Sequence, residues 1–142
     1  MCAMALTFAL LLPSRANAIG IGVDVGAGAW VLEGLQADVH FRVEQELLEV
    51  LKIGLRPGLG YAQYEPVSRI LVPVDAYVRL KILFLYVEAL GGVYFIPSHV
   101  DPIRAHAGGG LGFSIWKFSF GVEVAYLQPS INILGRVAFT FF

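Results

Sequence analysis

A strict two-residue alternation runs through most of this chain and limits its possible folds more than any other feature. It is clearest between Ile70 and Phe95. There Ile70, Val72, Val74, Ala76, Val78 and Leu80 share one parity, while Leu71, Pro73, Asp75, Tyr77, Arg79 and Lys81 take the other. After a reversal near 81–84, Leu85, Val87, Ala89, Val93 and Phe95 line one face against Tyr86, Glu88, Gly92 and Tyr94. Successive side chains of a strand point to opposite faces, so the stretch reads as an antiparallel hairpin with one apolar face and one face holding all its charge.

The pattern recurs on both sides of this hairpin. From Ile19 the odd positions to Val31 are apolar, opposite Gly20, Gly22, Asp24, Gly26, Gly28 and Trp30. After a turn at 32–34, Leu35, Ala37, Val39, Phe41 and Val43 oppose Gln36, Asp38, His40, Arg42 and Glu44. The segment 44–52 is rich in helix formers and reads as a reversal, with a helical turn as the other reading. Leu51, Ile53, Leu55 and Leu59 then oppose Lys52, Gly54, Arg56, Gly58 and Gly60, and 62–69 reads as a loop. Three more runs follow, built on Ala105–Ile115, Phe118–Tyr126 and Ile133–Phe141. The expectation is an all-β, eight-stranded antiparallel up-and-down barrel with strands of about ten to thirteen residues, long enough to cross a bilayer when tilted. Pro57 and Pro73 fall inside strands, cannot donate to a ladder, and are expected to mark bulges.

Which face meets water decides the kind of barrel. Thirteen charges lie in the strands, and all share the parity opposite the Val/Ile/Leu/Phe set: Asp24, Asp38, Arg42, Glu44, Lys52, Arg56, Asp75, Arg79, Lys81, Glu88, Arg104, Glu123 and Arg136. A soluble, lipocalin-like barrel would turn the apolar face inward. A transmembrane barrel would turn it to lipid and enclose the charges. Composition favours the second: hydrophobic residues make up 57%, mean hydropathy is +0.70, and charged residues are 15% against a usual value of about 25%. No uncharged apolar run is long enough for a spanning helix. The charged face is rich in Gly, and lysine is confined to Lys52, Lys81 and Lys117. Aromatics gather at strand ends as interfacial girdles do: Tyr61, Tyr64, Tyr94, Phe95 and Tyr126 at one end, and Phe84, Tyr86, Trp116, Phe118, Phe139, Phe141 and Phe142 at the other. A Lys or Arg facing lipid at mid-depth costs about 2–4 kcal/mol, so a lipid face should exclude charge.

Residues 1–18 read as a signal peptide, leaving 19–142 as the barrel. Ala3–Leu12 is a short apolar core and Ala16-Asn17-Ala18 has the form of a signal-peptidase site, although the segment before the core lacks Lys and Arg, so a retained helix is the other reading. Cys2 is the only cysteine, so the barrel itself has no thiol for a disulfide or a metal. With the N-terminus periplasmic, connections at 45–50, 81–84 and 115–118 become periplasmic turns, and those at 32–34, 62–69, 96–103 and 127–132 face outward. A net charge of −1 implies no attraction to nucleic acid.

An eight-stranded barrel is just wide enough for side chains to fill its interior. The strand charges other than Lys81 are therefore expected to form a structural ion-pair network in the lumen, with His40 and His106 as hydrogen-bonding members and no metal or cofactor. Ser98, His99 and Asp101 lie together on one outward loop, a weak basis for a hydrolase centre because catalytic groups converge from separate elements. The run Gly108–Gly112 is not a phosphate loop, since no helix pattern follows it; it reads as small residues making lumen room for large neighbours.

With these features the chain resembles the small eight-stranded outer-membrane barrels of Gram-negative bacteria, the OmpX-like, OmpA-barrel-like and OmpW-like proteins. The most specific likeness is the last strand, Gly135-Arg-Val-Ala-Phe-Thr-Phe-Phe142. There Phe139, Phe141 and the out-of-phase Phe142 look like the signal read by the barrel assembly machinery. The resemblance implies a monomer in the cell outer membrane, surrounded by lipid and lipopolysaccharide. The implied role is structural or surface-interacting rather than enzymatic. A narrow, porin-like channel for small solutes and a lipid-A-modifying enzyme are the alternatives.

Overall fold

The computed structural model describes residues 19–64, 66–97 and 100–141. Among them run eight strands: β1 (Ile19–Trp30), β2 (Gly34–Leu48), β3 (Leu51–Tyr64), β4 (Val67–Ile82), β5 (Leu85–Phe95), β6 (Ile103–Ile115), β7 (Phe118–Leu127) and β8 (Ser130–Thr140). Each pairs antiparallel with the next, and β8 returns to β1 in the register Gly22↔Thr140 to Trp30↔Asn132, closing the barrel. Closure matters because it leaves no row of unpaired backbone donors and acceptors at a sheet edge. The expected signal peptide with Cys2, the loop residues Ser98 and His99, and Phe142 lie outside the described residues.

Parity separates inside from outside as the alternation predicts. Asp24, Asp38, Arg42, Glu44, Arg56, Asp75, Arg79, Glu88, Arg104, Glu123 and Arg136 are buried in the interior, whereas Val25, Val39, Leu55, Val74, Val78, Leu111, Val122, Val124 and Val137 are exposed on the outer wall. The barrel therefore turns its oily residues outward.

The segment 44–52 makes the expected reversal, without a helical turn: β2 runs to Leu48 and β3 starts at Leu51, with the register shifting between Glu46 and Leu48. Other local expectations are corrected. The segment 62–69 is mostly strand, since β3 extends to Tyr64 and β4 begins at Val67. Three strands exceed the expected length: β2, β3 and β4 have 15, 14 and 16 residues. Neither proline marks a bulge. The β2–β3 pairs break off between His40↔Gly58 and Val43↔Leu55, and the β3–β4 pairs between Pro57↔Val74 and Gly60↔Leu71, in unshifted register. A missing donor interrupts one ladder beside each proline without adding a residue. Tyr86 and Tyr94 are buried inside the barrel and take no part in an outer girdle.

Candidate functional site: the filled interior

Three layers fill the barrel. At the end formed by the β1–β2, β3–β4, β5–β6 and β7–β8 connections sits an apolar plug of Trp30, Ala62, Leu71, Tyr94, Ile96 and Leu127. The Trp30 indole N–H donates to the Leu127 carbonyl at 2.9 Å, which satisfies the one polar atom that side chain takes out of water. Just below, Asn132 donates to Gln36 and Gln36 to Asp38, each at 3.0 Å, linking the plug to the charges.

The middle layer is a shared ion network. Arg136 from β8 donates through Nη1 to Asp24 at 2.7 Å and Asp38 at 3.0 Å, and through Nε to Glu123 at 2.6 Å. Arg56 from β3 reaches the same Glu123 at 2.8 Å and lies 3.4 Å from both Asp75 and Glu88. Arg79 grips Glu88 with two hydrogen bonds at 2.8 and 2.6 Å, and its guanidinium lies 4.3 Å from the Tyr86 ring centre. Nearer the opposite mouth, Arg42, Tyr77 and Lys52 converge on Glu44 at 2.5, 2.9 and 3.0 Å. Closure brings β8 beside β1 and so sets Arg136 against Asp24 and Asp38, whereas the Arg79–Glu88 and Arg42–Glu44–Lys52 contacts join the same or consecutive strands.

The histidines belong to this network. His106 Nδ1 lies 2.8 Å from Asp75, and His40 Nδ1 lies 3.3 Å from both Asp24 and Asp38. Asp24, Asp38 and His40 together have the donor set of a cation site. The cation there is Arg136: its Nη1 sits within 3.2 Å of His40 as well as against both aspartates. A guanidinium thus fills the space a metal ion would need.

Two expected members stand apart from the centre. Arg104 donates to the carbonyls of Asp101 and Gln128, at 3.3 and 3.1 Å, in the connections of the plugged end. Lys52 is half-buried at the other mouth, where it also meets Glu46 at 3.7 Å. Asp101 itself is exposed. Phe139 and Phe141 lie on the outer wall, in contact with each other at 5.3 Å between ring centres.

The glycines shape this interior in two ways. A Cβ on Gly54 would lie 2.6 Å from the Tyr77 ring, and one on Gly121 would lie 2.2 Å from the Tyr86 hydroxyl. These two make room for large neighbours. Gly108 and Gly112, by contrast, face the neighbouring backbone: a Cβ would come within 2.4 Å of Ala125 Cα and 2.1 Å of the Phe120 carbonyl oxygen. Their service is close strand approach, which corrects the reading of that run.

The plug was not foreseen. Its signal was present in the alternation: Trp30 and Leu71 are apolar side chains on the charged parity, both close to strand ends on the same rim.

Fold and interior together define a class: a closed eight-stranded β-barrel, apolar outside, with a charged core sealed by an apolar plug. No protein-family model and no curated protein matches the chain. A solved structure from the de novo design of transmembrane β-barrels superposes with a TM-score of 0.60, covering 89% of this chain and 98% of that one at 16% identity. At that identity the likeness is one of fold.

Proposed function

We propose that this chain is a transmembrane β-barrel of the bacterial outer membrane, delivered there by the export signal read at 1–18 and assembled through its aromatic last strand. One observation supports this reading above the rest. Among the described residues the exposed charged side chains are Glu49 and Asp101, both in connections, and Glu46 at the rim of β2, while the outer wall is dominated by valine, leucine, isoleucine and aromatic residues. Soluble monomers rarely expose an apolar patch beyond a few hundred Å², whereas lipid excludes charge and is indifferent to such a wall. The strands, of 10 to 16 residues, meet or exceed the roughly 9–11 that a tilted strand needs to cross the hydrocarbon.

The interior supports a structural or surface-interacting protein rather than a conduit. A channel needs a continuous polar path, and the layer of Trp30, Leu71, Ile96 and Leu127 interrupts it at one end. The test is fractionation with gel mobility. The protein should pellet with outer membranes, resist extraction by salt and alkali, and migrate faster when unboiled than boiled. Recovery in a soluble fraction with a single mobility would overturn the proposal.

A further inference from the structure

Every lysine of this chain lines one cavity. Lys52 on β3, Lys81 at the end of β4 and Lys117 in the β6–β7 turn surround a space of about 220 Å³ at the mouth opposite the plug, with Arg79, Ser114, Ser119 and one carboxylate, Glu44, also in its wall. At about 30 Å³ per water that is room for about seven waters. We infer that this mouth is a binding site for a tetrahedral oxyanion of the phosphate class, either free or as a lipid headgroup.

Charge balance points to an anion. Lys52 is already committed, to Glu44 at 3.0 Å and Glu46 at 3.7 Å. Lys117 donates to a neutral acceptor, the Phe141 carbonyl, at 2.8 Å. No carboxylate of the described residues lies within ion-pair distance of the Lys81 ammonium, and Arg79 is the one other cation in the wall, its Nε and Nη2 turned to Glu88. Glu44, the carboxylate in the wall, is already shared by Arg42 and Lys52, so among the described residues the mouth holds a surplus of positive charge from Lys81 and Lys117. Hydroxyls complete it: Ser119 donates to Ser114 at 3.1 Å, which leaves the Ser114 proton free to donate onward. Separate ammonium and hydroxyl donors arriving from several strands suit a tetrahedral oxyanion, whereas a planar carboxylate is best met by an arginine fork. Lysines serving only to reach the membrane interface would sit on the outward parity, yet Lys52 and Lys81 are on the inward one. Because the plug closes the far end, the mouth is a dead-end pocket and its ligand binds rather than passes. This inference rests on the cavity and not on the membrane assignment.

The experiment is calorimetric titration of the folded protein in maltoside micelles with inorganic phosphate, and in parallel with a short-chain phosphatidic acid. Saturable binding of phosphate identifies a free oxyanion as ligand; saturation by phosphatidic acid alone identifies a headgroup. In either case Lys81→Gln and Lys117→Gln should each weaken binding by about tenfold, the loss of one charge-assisted hydrogen bond. Neither change strands a carboxylate, so both variants should fold. NMR titration of the wild type, with shifts confined to the amides around 81, 114, 117 and 119, checks the location independently of any variant. No saturation by either probe, affinity unaltered in both variants, or shifts spread over the outer wall would overturn the site.

Discussion

Arg136 is the residue on which the interior most depends. It forms ion pairs with Asp24, Asp38 and Glu123 at once, from a position 8% exposed. Removing one partner of a buried pair typically costs about 3–5 kcal/mol, because the remaining charge is left uncompensated in a poor solvent. Arg136→Ala should therefore destabilise the barrel by at least that amount in urea titrations followed by gel mobility. Arg79→Ala should cost less, since it breaks one pair and Arg56 stays close to Glu88, whereas Glu88→Ala takes a partner from both Arg79 and Arg56 and should fall between the two. If all three variants unfold with the wild type, the network contributes nothing to stability. Steric fit makes a second prediction at this scale. Gly121→Ala puts a methyl against the Tyr86 hydroxyl and should cost about 1–3 kcal/mol. Adding Tyr86→Phe removes the nearest atom and should restore part of that loss, the remainder coming from the Leu111 carbonyl 2.7 Å away.

At the scale of the strand, the two faces differ in what they tolerate. Val124, at the middle of β7, faces outward, and its neighbour Glu123 faces the core. Val124→Arg should destabilise the barrel by about 2–4 kcal/mol in lipid, as a charge held at mid-depth does. The same substitution at Val67, the first residue of β4, should cost about 0–1 kcal/mol, because the side chain reaches the interface. Equal effects in refolding titrations into vesicles would argue that the wall does not face lipid. Turn chemistry offers a further test. Leu83 holds a positive φ of 57° in the two-residue turn between β4 and β5, a conformation that costs a Cβ-bearing residue about 1–2 kcal/mol. Leu83→Gly relieves that strain and should raise, not lower, the melting temperature.

For the whole molecule, a closed sheet with a plugged interior makes a barrel that should not conduct. Purified protein inserted into a planar bilayer is expected to give no steady current; a reproducible open level at every insertion would contradict the plug. The exterior and interior also invert the arrangement of a water-soluble barrel. The stability of this chain should accordingly depend on micelles or bilayer being present, and collapse to aggregate without them.

Alternation by itself determined the strand count, the antiparallel order and which residues share a face; composition, poor in charge and lysine, chose the face that turns outward. A strand has only two faces, so a run such as Val72-Pro-Val-Asp-Ala-Tyr-Val-Arg79 leaves few choices of register. Helix formers at 44–52 make no helical turn, because pairing with β3 holds them as strand on both sides of the reversal read there. The supposed loop at 62–69 was misread: it is held as strand by the ladder from Tyr61↔Ile70 to Tyr64↔Val67. What only the tertiary structure decided is who meets whom inside. Closure sets Arg136 beside Asp24 across 112 residues of chain. It gathers Trp30, Leu71, Ile96 and Leu127 from separate strand ends into one plug and brings three scattered lysines to a single mouth. Period two tells a side chain which way to point, but the stagger and curvature of the closed sheet set the height at which it points, and contacts across the interior depend on height.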